Sequence, residues 1–287
     1  MWLNYAMTPT EKPSDLFLCG KYQLDLSKPC VMGIVNVTPD SFSDGGKYDT
    51  TEKAVEHGLQ LVAEGADILD IGGESTRPGA TPVSLQDELA RVVPVIEQLS
   101  KVAGVPLSID TYKPEVMRAA IAAGADIVND VRALQEPGAL EIVAASRAGV
   151  CLMHMQGMPQ NMQADPQYED VVQEVNDFLQ QRLSAAHAAG IAAERIVLDP
   201  GFGFGKRTEH NLQLLRELDK TLAIGRPLLV GLSRKSVLGQ IIGGDVYVRL
   251  HASLAASVIS TMKGARIVRV HDVKATVDAL KVVAAVL

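Results

Sequence analysis

Polar and charged residues recur at one kind of place in this chain, directly after a short apolar run. Asn36, Asp70, Asp110, Asn129, His154, Asp199, Ser233 with Lys235, and Arg269 with His271 all stand there. Any one of them reads equally well as a cap for a following helix. Asp110 before Thr111-Tyr112-Lys113-Pro114, and Ser236 after Lys235, are ordinary capping candidates. Capping accounts for Asp, Asn and Ser but not for Lys235, Arg269 or His271. Their positive charge is unfavourable near a helix N-terminus unless an anion also sits there. An anion held by several cations at one rim is therefore implied.

The elements that must position these residues can be counted. Eight apolar runs, Val31–Asn36, Ile68–Gly73, Pro106–Asp110, Asp126–Asp130, Val150–His154, Arg195–Asp199, Pro227–Ser233 and Arg266–His271, are nearly uninterrupted rather than alternating. That is how strands covered on both faces read, hence parallel strands. Between them lie helical stretches such as Thr51–Glu64, Leu85–Val102, Pro114–Ala123 and Tyr168–Ala189. Gly65, Gly104, Gly124, Gly149, Gly190 and Gly264 fit the left-handed residue that closes a helix. Eight strand-then-helix units predict an α/β fold, a closed (β/α)8 TIM barrel, with an open doubly wound sheet as the alternative. Residues 16–27 read as an N-terminal β-hairpin plugging the bottom of the barrel. The expected organisation is a variable N-terminal tail over 1–15 and a single domain over 16–287.

Composition narrows the function classes. An apolar share of 47% excludes a disordered chain, and a net charge of −7 without a basic run argues against nucleic acid. Cys19, Cys30 and Cys151 form no C-x-x-C pair, so a disulfide framework and a thiolate zinc site are not supported, and a reducing cytoplasm is the expected location. No apolar stretch approaches the length of a spanning helix, which leaves no expected membrane partner. The first two strand-to-helix connections, Val37–Gly46 and Glu74–Pro82, have the length and turn chemistry of lids. Gly201-Phe202-Gly203-Phe204-Gly205-Lys206 fails both nucleotide-loop patterns and reads as a wall with two aromatic faces. Met153, Met155, Met158 and Met162 read mainly as core, with Met153 facing the barrel mouth. His57, His187, His210 and His251 read as surface or interface residues.

Taken together, Met32–Gly46, Asp70–Gly79, Ser108–Thr111, Asn129-Asp130, Met153–Gly157, Asp199–Lys206, Gly231–Ser236 and Arg269–Asp272 resemble, in order, the signature segments of the dihydropteroate synthase family. The resemblance runs from about residue 16 to the end. It implies a transferase of the folate pathway on a (β/α)8 barrel, joining 6-hydroxymethyl-7,8-dihydropterin pyrophosphate to p-aminobenzoate with release of pyrophosphate. Mg2+ is the implied cofactor and Asn36 its ligand. In the family, the residues matching Asp199, Asn129 and Lys235 hold the pterin edge, Asp110 a ring nitrogen, and Met153 packs on the ring. Thr76, Arg77, Arg269 and His271 match the anion site.

By the same resemblance, Asp44 helps hold metal and cation, Phe42, Pro78 and Phe204 enclose the aminobenzoate ring, and Ser236 binds its carboxylate. Asp44, Arg77, Lys235, Arg269 and His271 are thus the implied catalytic set. The donor and acceptor types suit a pterin, whose pyrimidine edge mixes N–H donors with carbonyl and ring-nitrogen acceptors. The family is also a sulfonamide target and typically a homodimer through its last helices, here Val248–Lys263 and Val273–Leu287. Two alternatives stand beside this one: a pterin-binding methyltransferase on a related barrel, and a non-catalytic pterin-binding barrel. Ser233-Arg234-Lys235-Ser236 and Arg269-Val270-His271-Asp272 speak against the methyltransferase, which has no pyrophosphate to hold.

Overall fold

An apolar run becomes a central parallel strand when both its faces are covered, here by helices outside and by the barrel interior within, and the chain meets that condition eight times. The computed structural model describes residues 15–38, 47–76, 79–158, 160–243 and 249–286. A hairpin of β1 (Leu16–Cys19) and β2 (Tyr22–Asp25) precedes β3 (Cys30–Asn36). Then follow α1 (Lys47–Ala63), β4 (Ile68–Gly72), α2 (Leu85–Val102), β5 (Leu107–Asp110), α3 (Pro114–Ala123), β6 (Ile127–Asp130), α4 (Ala139–Ala144) and β7 (Gly149–Met153). The second half runs α5 (Val171–Ala188), β8 (Ile196–Asp199), α6 (Thr208–Arg216), α7 (Leu218–Leu222), β9 (Leu229–Val230), α8 (Ser236–Ile242), α9 (Leu250–Met262), β10 (Ile267–Val270) and α10 (Val273–Val286). The parallel order is β8-β7-β6-β5-β4-β3-β10-β9, and a bridge from Leu198 of β8 to Leu228 beside β9 brings the ends together. The ring is a nearly closed (β/α)8 barrel rather than an open sheet.

The hairpin seals one end. Phe17 and Cys19, with Leu26 after the hairpin, pack on Cys30, Met32, Ile68, Ile127, Cys151, Val197, Leu229 and Ile267, one layer from the barrel strands. Gly149 opens β7 and does not close a helix as expected. A Cβ there would lie 2.6 Å from the Phe17 ring, so only glycine lets the plug seat. Cys19, Cys30 and Cys151 are unbridged and buried, and burial pushes the thiols of Cys19 and Cys30 up to about 12, which leaves them unreactive. With the base closed, chemistry is confined to the opposite rim, where the strands' C-terminal ends lie.

Two boundaries differ from the sequence expectation. The run Pro227–Ser233 pairs only over Leu229–Val230, because the chain then turns: Lys235 N–H donates to the Leu232 carbonyl, and Arg234 is held at φ 57. Arg234 keeps that left-handed conformation by donating its N–H to Ser253 Oγ at 2.9 Å and its guanidinium to both Asp272 oxygens. Helix α5 starts at Val171, not Tyr168, because the Asp170 carboxylate accepts the N–H groups of Val172 and Gln173. Tyr168 is released to donate its hydroxyl to the Gly205 carbonyl at 2.8 Å.

Candidate functional site

Register decides which side chains meet. Parallel pairing sets Gly72 beside Asp110, Asp110 beside Asn129, and Met153 beside Asp199. Across the barrel, Arg269 on β10 donates Nε to Asp70 Oδ2 at 2.6 Å and Nη2 to Asp110 Oδ2 at 2.7 Å. Asn129 Nδ2 reaches the same Asp70 oxygen at 3.2 Å. One cation thus ties two buried carboxylates, Asp70 at 0% and Asp110 at 8% exposure. Asp110 is therefore not a helix cap. The N-cap of α3 is Lys113, with no side-chain cap bond.

The same cluster is incompletely satisfied. Asp70 Oδ1, Ser108 Oγ and Asp110 Oδ1 are buried and have no hydrogen-bond partner among the described residues. Buried acceptors left open cost about 1–3 kcal/mol each, which an incoming ligand's N–H groups would recover. Burial pushes the Asp110 carboxyl up to about 7, Arg269 opposing this and Asp70 adding to it. Arg269 is 21% exposed and loses hydration in the cluster, yet the two carboxylates outweigh that cost and hold it more firmly protonated.

A second group stands beside the first. Lys235 Nζ donates to the Phe202 carbonyl and lies 4.5 Å from the centroid of the Phe204 ring. The Cβ position of Gly231 is 3.8 Å from Arg269 Cβ and 3.9 Å from Lys235 Nζ, so the two cations flank one glycine. Burial brings Lys235 down to about 8 against the pull of Asp199. Burial raises Asp199, opposed by Lys235, the Gly201 N–H, Lys206 and Arg269. Its Oδ1 accepts that N–H at 2.7 Å, so Asp199 also shapes its own turn.

Met153 and His271 stand at or just beyond two further strand ends. Met153 is buried at the end of β7. His271 Nδ1 meets Ser233 Oγ at 3.1 Å, and the same hydroxyl accepts the His271 N–H, joining the turn after β9 to the end of β10. Thr76 is half-buried after β4, and Ser236 is exposed as the first residue of α8. Phe42, Asp44, Arg77 and Pro78 lie outside the described residues. His154 leaves the mouth: its ring packs edge-on to Phe178 with centroids 5.0 Å apart and also meets Tyr168. Phe202 is fully buried in the hydrophobic core, so the glycine-rich segment presents one aromatic face, Phe204, rather than two.

Two lysines that sequence reasoning gave no role hold this rim together. Lys113 pairs with Glu74 and Glu88 and donates to the Val83 carbonyl at 2.9 Å, tying both ends of the loop that carries Thr76. Thr111 Oγ1 donates to Glu88 at 2.7 Å, and Arg91 to the Gly73 carbonyl at 2.8 Å. Lys206 is buried beneath the Gly201–Gly205 loop. Its only sequence signal is a lysine closing a segment of alternating glycines.

A divalent cation finds limited protein ligation here. Among the described residues no three His, Cys, Asp or Glu side chains group to hold a metal. Asn36, half-buried at the end of β3, offers one hard oxygen. That donor fits Mg2+ as a metal carried largely by substrate phosphate oxygens and water.

Comparison with known proteins identifies what the chain is similar to. The model of a family described as pterin binding enzyme matches residues 32–271. The chain is 53% identical over 264 residues to the dihydropteroate synthase of Escherichia coli strain K12, covering 92% of this chain and 94% of that one. The Yersinia pestis dihydropteroate synthase, solved with a sulfonamide drug complex, superposes with a TM-score of 0.90 at 51% identity, covering 94% and 98% of the two chains. The Burkholderia cenocepacia enzyme complexed with 7,8-dihydropteroate gives a TM-score of 0.86 at 51% identity, covering 94% and 96%.

Proposed function

The chain belongs to the dihydropteroate synthase family, and from that membership we infer how its barrel rim condenses 6-hydroxymethyl-7,8-dihydropterin pyrophosphate with p-aminobenzoate. The observation that carries the assignment of roles is the cluster in which Arg269 ties Asp70 to Asp110, with Asp199 and Lys235 alongside. Asp110, Asn129, Asp199 and Lys235 supply the acceptors, carboxamide and cation that a pterin edge requires, and Met153 offers a soft contact to the flat ring. The open Asp110 oxygen is one acceptor for the ring's N–H groups.

Arg269 and His271, with Thr76 and Arg77, hold the diphosphate. As the C–O bond breaks, charge on the leaving diphosphate increases and a positive dihydropterin methylene remains. Preorganised cations facing the diphosphate and the Asp110 and Asp199 carboxylates beside the pterin stabilise the separating charges. The arylamine nitrogen then attacks the methylene and loses a proton. Phe204 and, from the two lids, Phe42 and Pro78 enclose the arylamine ring, and Ser236 binds its carboxylate. Asp44 offsets charge on the cation. Asn36 would hold Mg2+, which when bound supplies further neutralisation of the diphosphate.

The neighbouring Yersinia structure, solved with a sulfonamide, supports reading this site as a sulfonamide target. We also propose residues 16–287 as one domain and a homodimer through α9 and α10, where Ile259, Met262, Val282 and Val286 are exposed. No helix among the described residues is long and apolar enough to cross a membrane, and the buried, unbridged cysteines support a cytoplasmic location. Pyrophosphate release that depends on both substrates tests the reaction. Calorimetric titration of Asp199→Asn with the pterin diphosphate tests the roles: affinity falls at least about tenfold, and wild-type affinity refutes the assignment.

A further inference from the structure

We infer that Lys206 is a positioning residue whose ammonium group staples the Gly201–Gly205 loop to the end of β7, fixing the Phe204 face and the carbonyl that holds Lys235. The inference rests on the roles of Asp199, Lys235 and Phe204 proposed above. Lys206 is 3% exposed. Its Nζ donates to His154 Nδ1 at 2.9 Å, the Gly201 carbonyl at 2.9 Å and the Phe204 carbonyl at 3.0 Å, with the His154 carbonyl further off at 3.4 Å. Three protons meet three close acceptors, which is the arrangement that keeps a buried ammonium from being an unpaired charge. Because His154 Nδ1 accepts, its own proton sits on Nε2. Burial, with Lys206 beside it, keeps that ring neutral.

The loop so held is shaped for close approach. Gly201 and Gly205 are left-handed, and a Cβ on either would collide with the carbonyl of His154 or Gln156. Within the stapled loop, the Phe202 carbonyl accepts from Lys235, Phe204 lies under the same ammonium, and Gly203 leaves room for the Lys235 stem. Lys206 therefore touches neither substrate but sets the height and tilt of two groups that do. Burial pushes Lys206 well below the usual lysine range, with Asp199 opposing this, and where it is protonated it adds one positive charge near Asp199. The other groups facing that carboxylate are Lys235, Arg269 and the Cys151 thiol.

The test is Lys206→Met in the full chain, with folding checked by circular dichroism. The KM for p-aminobenzoate should rise at least about fivefold while kcat stays within about threefold, because uniform binding is lost rather than transition-state contacts. The acid limb of pterin diphosphate binding should move up by about half a pH unit or more, since Asp199 loses a neighbouring cation. Lys206→Arg keeps the charge but its planar fork does not suit three converging acceptors, so KM rises with the acid limb unmoved. His154→Phe keeps the ring packing, removes one acceptor, and raises KM by a smaller factor.

A folded Lys206→Met protein with wild-type KM and acid limb overturns the inference. So does one in which only kcat falls, in proportion to the folded fraction, with KM and the limb unmoved. If Lys206→Met does not fold, wild-type KM in both Lys206→Arg and His154→Phe overturns it, and a raised KM in both supports it. Lys235→Met with wild-type pterin affinity would overturn the site assignment itself, a separate result.

Discussion

Replacing Arg269 by methionine should injure catalysis and stability together, with different pH dependences. The guanidinium holds Asp70 at 2.6 Å and Asp110 at 2.7 Å in a buried cluster. Removing one partner of a buried ion pair costs about 3–5 kcal/mol because the remaining charge is stranded. The cost is larger at pH 8, where more of Asp110 would be ionised. Asp110 is already pushed up to about 7, and Arg269 is what opposes the rise. Without Arg269 the carboxyl is protonated at pH 5.5 and the stranded charge is reduced, so the stability deficit is smaller there than at pH 8.

The effect on rate has a separate origin. A cation about 4 Å from a developing charge contributes on the order of 4 kcal/mol at a partly shielded site, an upper bound of roughly a thousandfold in rate. Since the bound diphosphate is already anionic before the bond breaks, only part of this is specific to the transition state. Turnover should fall between about tenfold and a thousandfold. Pyrophosphate release at saturating substrates reads kcat, and urea unfolding at pH 5.5 and 8 reads stability. A kcat within twofold of wild type, or a stability deficit equal at the two pH values, refutes the reasoning.

Four further outcomes follow from other parts of the molecule. Asp110→Asn should weaken pterin diphosphate binding in a calorimetric titration while the protein stays folded. Asp110 binds its proton more tightly folded than unfolded, so it lowers wild-type stability as pH rises from about 4 to about 7; urea midpoints of the Asn variant should lack that contribution. Phe17→Ala empties the plug at the closed end and should cost about 3–5 kcal/mol in urea unfolding with kcat unchanged at 25 °C, and a tenfold loss of kcat would place the plug's influence at the rim. A sulfonamide should compete with p-aminobenzoate, and product formation untouched at saturating drug would count against the assigned arylamine pocket. Ile259→Glu with Met262→Glu should give a monomer by sedimentation, and an unchanged sedimentation coefficient would exclude that face of α9 as the dimer contact.

Most of the barrel was legible in the chain because its signals are local. Leu85–Val102 and Pro114–Ala123 carry their own helical spacing, and the apolar runs around Val128 and Leu198 need no partner to read as buried strands. The residues at the strand ends were legible for a related reason, since a strand's C-terminal end is marked where an apolar run stops at a polar residue. Phe202 against Phe204 was not legible. Both are phenylalanines between glycines, and only the left-handed turns of the loop send one inward and the other to the rim.

The same division holds for the molecule as a whole. Periodicity and residue type determined an eight-unit α/β chain with polar strand ends, because each signal lies within a few residues. Tertiary structure alone decided that β9 stops at Val230, that Gly149 makes room for Phe17, and that His154 turns away from the mouth toward Phe178. It also decided that Arg269 bridges Asp70 and Asp110, residues 199 and 159 positions away. Such contacts depend on barrel closure and strand register, which bring distant residues within hydrogen-bond reach and leave no trace in local sequence.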